Sequence, residues 1–253
     1  MAKTLNIDEL NINQRSEPYD KYFGIMRLSK RQIRERILFA EDFEDIFFEF
    51  LMYMVVLNEY GKDFTPAQEQ LQERYRDKMF EYLPESDGDF IRDYAATFAV
   101  NAVDVTARHI KNLSFGSLAS EARKIRDRVV AESGEILSSE QTIEQLEIDE
   151  NQPETNWYVS LDRAKFNAEN EANTALNRSD YLNAKEAGYS RKRWLTMADE
   201  KVRGTHREVN GITIPIDGIF VVGDSLFDYP KSLRYNPNPN EYINCRCSVQ
   251  YIK

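Results

Sequence analysis

Cysteine, histidine and proline are scarce in this chain of 253 residues, with two, two and eight of each. The only cysteines, Cys245 and Cys247, exclude a disulfide framework as the source of stability. No apolar run reaches the roughly 20 residues of a membrane helix. The most apolar stretch, FFEFLMYMVVL from Phe47 to Leu57, is shorter and carries Glu49. The opening residues, MAKTLNIDELNINQ, hold no apolar core of the secretory type, so neither a leader nor a membrane span is expected. Basic charge is also short: 33 Lys and Arg against 43 Asp and Glu leave a net charge of −10, which excludes a general nucleic-acid coat. A Walker loop, a Rossmann glycine pattern and a nucleophile elbow are all missing.

What is present suits a folded chain. Hydrophobic residues make up 42% and aromatics 12%, too many for a disordered polymer, and 30% charged residues give a well-solvated surface. The length fits one large or two modest domains.

From Ser29 to Asn58, Ile33, Ile37, Ala40, Phe43, Phe47, Phe50, Met54 and Leu57 recur at helical steps. The second half of that helix is apolar nearly all round, which reads first as the centre of a bundle and second as a docking surface. Thr65, Pro66 and Gln68 look like a capped helix start, with the helix running to about Leu83 and stopping at Pro84. Ser86 opens an Ala-rich helix with Ile91, Tyr94, Phe98, Ala102, Val105 and His109 near one face. A further helix is expected from about Leu118 to Ala131. Residues 1–131 therefore read as a helical domain. Residues 132–156 carry eight acidic residues between Glu132 and Glu154 and no Lys or Arg, and read as an acidic connector, either a solvated hinge or a tether for a basic partner.

Residues 157–253 read as a separate module. A long helix is expected from about Ser160 to Ala187, closed by Gly188. RKRWLTM, residues 191–197, looks like a strand. DEKVRGTH looks like a turn or short helix, Asn210-Gly211 is a hairpin signal before ITIPI, and YINCRCSVQYI, residues 242–252, alternates as a strand. The fold class is α+β, with the long helix packed on a small, mostly antiparallel sheet.

Strict alternation would place Ile243, Cys245, Cys247, Val249 and Tyr251 on one apolar face. The simplest reading of the cysteines is two small buried residues. A zinc site with His206 as third ligand stands beside it, since zinc takes thiolate and imidazole in tetrahedral array, but no fourth ligand is evident. No cofactor is otherwise expected. Asp199, Glu200, Arg203 and His206 crowd into eight residues. They form either a structural polar network or, as an alternative, the acid–base centre of an enzyme acting on nucleic acid or a nucleotide through Asp199, Arg203 and His206. Arg191, Lys192 and Arg193 followed by Trp194 suggest a solvated strand edge, with DNA contact through phosphate pairing and aromatic stacking as the alternative.

NAKEAGYSRKRWLTMADEKVRGTHREVNGITIPIDGIF, followed by LRYNPNPNEYINCRC, resembles the phage minor head proteins, the Mu F-like head morphogenesis family. The shared elements are Trp194, Asp199, Arg203, His206, the Asn210-Gly211 turn, Pro237 and Pro239, and the closing Asn244-Cys245-Arg246-Cys247. Glu171 and Asn177 match a Glu and an Asn of the family's preceding helix, whereas its usual Arg-Thr-Glu is Glu169-Asn170-Glu171 here. The resemblance covers about residues 160–250. It implies a non-enzymatic minor capsid protein of a tailed phage that meets the portal protein during procapsid assembly in the host cytoplasm and stays inside the virion head. It also implies contact with the major capsid or scaffolding protein, and a meeting with DNA at its exit.

Overall fold

The computed structural model describes residues 18–24, 26–110 and 157–253. The expected helix at 118–131 and the acidic connector at 132–156 lie outside the described residues. The elements are α1 (Tyr19–Gly24), α2 (Lys30–Glu59), α3 (Thr65–Phe80), a 3-10 turn (Glu85–Asp87), α4 (Gly88–Ile110), a second 3-10 turn (Trp157–Val159), α5 (Leu161–Glu186), β1 (Arg191–Leu195), α6 (Gly204–Val209), β2 (Thr213–Pro215), β3 (Phe220–Val222), β4 (Ser225–Phe227), α7 (Pro239–Tyr242) and β5 (Ser248–Ile252). Helices with a small antiparallel sheet make this an α+β fold. The chain forms two compact units, one of residues 1–41 with 168–253 and the other of residues 42–167.

In the unit of residues 42–167, α2 fulfils its periodicity, and everything from Phe47 to Leu57 is buried, Glu49 included. Phe43 and Phe47 pack against Tyr75 of α3 and Phe98 of α4, with ring centroids 4.6 to 5.8 Å apart across the helices. Buried Arg163 donates to the Thr106 hydroxyl at 2.9 Å and lies over the Phe47 ring. Arg74 pairs with Glu49, and Lys78 with Asp42 and Glu81, so the cations at this rim are satisfied. The start of α3 differs from expectation. Phe64 is the N-cap, Thr65 and Pro66 are already helical, and the Thr65 amide is met by Asp63 at 2.6 Å, leaving no capping box. Proline's fixed φ suits the first turn regardless of which residue caps it.

In the unit of residues 1–41 with 168–253, α5 ends as expected. Gly188 adopts φ 71°, the Tyr189 amide donates to Ala184 O at 3.0 Å and the Gly188 amide to Lys185 O at 3.1 Å, a Schellman closure. The main sheet has the order β2-β1-β5, antiparallel throughout, with Trp194 opposite Val249 and Arg193 opposite Thr213. β1 is therefore the central strand, not a solvated edge. Its side chains alternate, Arg191 and Arg193 outward, Lys192 and Trp194 buried. Burial denies Trp194 the stacking face that the nucleic-acid reading required.

Two turns also depart from expectation. Asn210 has φ −60° and ψ 124° and only Gly211 is left-handed, with the Ile212 amide bonded to Val209 O, so this is a type II turn joining α6 to β2. A two-residue hairpin would need both residues left-handed. Asn210 is held instead by its Oδ1, which accepts from the Thr196 amide at 2.9 Å. The two-residue hairpin that does form is Gly223-Asp224, between β3 and β4. Nor is 242–252 one strand. Residues 239–242 are helical, Asn244 has φ 53°, and pairing starts only at Ser248.

Candidate functional site

α6 delivers His206 into the core beneath β1, and the irregular segment 243–247 delivers Cys245 and Cys247 to the same place. They join Trp194, Val209, Phe220, Val222 and Phe227 in one apolar cluster. His206, Cys245 and Cys247 are only 2%, 2% and 3% exposed. The imidazole Nδ1 lies 3.3 Å from Cys247 Sγ and 3.6 Å from Cys245 Sγ. The three ligand-type atoms all fall within 4.8 Å of one another. Nε2 points the other way and meets Glu241 Oε2 at 3.0 Å, and the same oxygen accepts from the Thr205 hydroxyl at 2.9 Å. A carboxylate only accepts, so the Nε2 proton is fixed and Nδ1 is left to face the sulfurs.

The electrostatics follow from that arrangement. The Cys245 thiol lies well below its ordinary pKa, chiefly because Cys247 donates to it, with His206 adding to the effect and burial opposing it. Cys247 is pushed up by that same hydrogen bond and then by burial. Burial is the largest influence on His206 and acts downward, but the hydrogen bond and charge of Cys245 and the charge of Glu241 carry the net shift upward. Two sulfurs and an imidazole nitrogen thus converge in an apolar surround, where charge on any of them is disfavoured unless something neutralises it.

A cavity of about 20 Å³ adjoins this cluster, lined by Arg203, Asn244 and Arg246 among others. Arg203 donates to Ile243 O at 2.6 Å, and Arg246 meets both oxygens of Asp199 at 3.0 and 2.8 Å. Asp199, Arg203 and His206 therefore each hold a different partner. The carboxylate on His206 is Glu241, not the Asp199 of the alternative reading.

Behind the segment 243–247 stands a polar face of α5. Asn170 Oδ1 accepts from the Asn244 amide at 2.9 Å and from buried Lys231, while its Nδ2 donates to Glu171 at 2.6 Å. Burial pulls the Lys231 ammonium down to about 8, with Glu171 the largest opposing influence. Asn177 accepts from Arg36 at 2.9 Å and donates to Pro230 O and Cys247 O at 3.2 and 3.3 Å. Gly211 sits apart from the cysteines, its amide bonded to Trp194 O at 2.8 Å.

The zinc alternative read from the sequence groups His206, Cys245 and Cys247, which the structure does bring together, but the sequence does not place Trp194 with them and misses Glu241, Thr205, Arg36 and Lys231. Glu241 had a local signal, being the third residue after the N-cap Asn238, where a Glu would ordinarily close a capping box. Arg36 had none, because it lies 137 residues from Asn173.

The site thus belongs to a small α+β module whose irregular C-terminal segment is pinned by buried polar side chains. The family model for phage Mu protein F like proteins matches residues 104–250, more than half of the chain, and the chain belongs to that family of phage head morphogenesis proteins. The match begins well upstream of the resemblance noted from residue 160. No curated protein and no solved structure matches. Among the described residues, no helix is long and apolar enough to cross a membrane.

Proposed function

We propose that this protein is a non-enzymatic minor capsid protein of a tailed phage, which binds the portal protein during procapsid assembly and is retained inside the head. The carrying observation is the family match over residues 104–250. The site geometry supports a structural use of the motif. Asp199 is spent on Arg246, Arg203 on a backbone carbonyl, and Trp194 on the core, so these groups brace the module. The charge of −10 favours a protein partner over a DNA surface. Portal is the partner we assign ahead of major capsid or scaffolding protein.

Co-expression with the portal protein encoded beside it, followed by affinity purification and mass determination, tests the reading. The expected result is a complex of defined stoichiometry that survives moderate salt, and a chain shielded from external protease in finished particles. Separate elution of two folded proteins would overturn portal binding, and digestion of the chain on intact particles would overturn its place inside the head.

A further inference from the structure

We propose that His206, Cys245 and Cys247 bind one zinc ion, with a water as the fourth ligand, and that this ion ties α6 to the segment 243–247. Zinc bonds of about 2.3 Å to sulfur and 2.0–2.1 Å to nitrogen, at tetrahedral angles, place sulfur and nitrogen ligands about 3.6 Å apart and two sulfurs about 3.8 Å apart. The observed Nδ1–Sγ distances of 3.3 and 3.6 Å match the nitrogen–sulfur edge to within a few tenths of an ångström, and all three atoms lie within 4.8 Å of one another, close enough for one ion to draw them in.

Three further features fit the ion. Glu241 and Thr205 fix the imidazole from behind, so that Nδ1 presents its lone pair to the sulfurs, the outer carboxylate that metal-binding histidines usually have. The indole N–H of fully buried Trp194, in the same cluster as Cys247, has no hydrogen-bond partner among the described residues. A buried donor left unspent beside a thiol gains its partner when that thiol becomes a thiolate. The adjoining cavity of about 20 Å³ admits one water, which needs about 10–15 Å³ on the same measure, and no larger substrate. That supplies the missing fourth ligand. Two thiolates balance the ion's two charges, so the neutral centre suits an apolar surround better than a bare thiolate does. Sulfur and imidazole in tetrahedral array favour zinc over the harder magnesium or calcium.

The test uses the full chain, purified under reducing conditions without added metal. Elemental analysis is expected to find about one zinc per chain, falling at least several-fold in Cys247→Ser and in His206→Ala. Should those variants fail to fold, the wild-type chain still decides. After removal of zinc by chelator its melting temperature should drop by several degrees. Added Co²⁺ should then restore the melting temperature and give the visible bands and thiolate charge-transfer absorption of a tetrahedral sulfur site. Zinc below about a tenth of an equivalent together with no cobalt spectrum would overturn the proposal, as would full zinc occupancy in folded Cys247→Ser protein.

Discussion

Replacing Asn177 should cost this protein more than any exposed charge, although the residue is small and polar. Its side chain is 3% exposed and its three partners dictate how the amide is turned. Arg36 can only donate and the carbonyls of Pro230 and Cys247 can only accept, so Oδ1 faces the guanidinium and Nδ2 the two carbonyls. A bond to a charged donor is worth about 1.5–3 kcal/mol and each neutral bond about 0.5–1.5 kcal/mol, so Asn177→Ala should cost about 3–5 kcal/mol. At about 2–4 °C per kcal/mol, that is a fall in melting temperature of roughly 6–20 °C. Asn177→Asp separates the two halves of the site. It keeps an oxygen for Arg36 but sets oxygen against two carbonyl oxygens, and should still cost about 2–4 kcal/mol. The assay is urea unfolding followed by Trp194 fluorescence in a Trp157→Phe background, which leaves one tryptophan of the two to report on this unit alone. A loss below about 1 kcal/mol for Ala, or an Asp variant as stable as the parent, would show that the amide does not bridge the helix to the C-terminal segment.

Lys192 is fully buried with no hydrogen-bond partner for its ammonium among the described residues; the ammonium rests over the Tyr181 and Phe220 rings at 4.9 and 5.6 Å, and burial pulls its pKa down to about 8. Because the unfolded chain binds this proton up to about pH 10.5, the penalty is complete below pH 8 and stability should rise between pH 8 and 10.5, with Lys231 adding to the same rise; Lys192→Met should reduce that rise and gain about 1–3 kcal/mol at pH 7 by thermal or urea unfolding, whereas a loss of stability would show that the ring contacts outweigh burial. Phe47, 1% exposed among Phe43, Phe98 and Arg163, should cost about 3–5 kcal/mol when truncated to Ala, measured by calorimetry, whereas a docking residue would leave the isolated chain unchanged.

The helices were legible because burial imposes a period. α2, α3, α4 and α5 show their apolar faces in sequence, and Gly188 announces its left-handed cap. Where expectation failed, a side-chain hydrogen bond had displaced a local rule. Asn210-Gly211 carries the dipeptide of a hairpin, but Asn210 is recruited by the Thr196 amide and the turn changes type. YINCRCSVQYI alternates like a strand, yet Asn170 captures the Asn244 amide and holds that residue left-handed, so pairing begins only four residues later at Ser248. Cys245 and Cys247 stay on one side regardless, which is why the alternation still located them correctly. The carboxylate of the site was unreadable for a different reason: Glu241 sits where a capping residue belongs and turns instead to His206, a choice made by tertiary contact.

The same reasoning explains why the family motif looks catalytic when its residues are engaged in packing. From Asp228 to Cys247 the chain has only a four-residue helix for regular structure, so few of its backbone groups are met by a ladder or a helical turn. Buried amides and carbonyls must then be met by side chains. Asn177 takes Pro230 O and Cys247 O, Asn170 takes the Asn244 amide, Arg203 takes Ile243 O, and Ser225 accepts from the Asn238 amide at 2.9 Å. Hydrophobic residues could bury this segment but could not tell one register from the next, whereas each of these bonds has a single correct partner. Asn, Arg and Asp are consequently what such a segment requires, and they are also the residue types that a search for acid–base chemistry picks out. The discriminating observation is where the motif's donors end: Arg203 on a backbone carbonyl, Arg246 on Asp199 and His206 on Glu241, each a partner that holds the segment's shape.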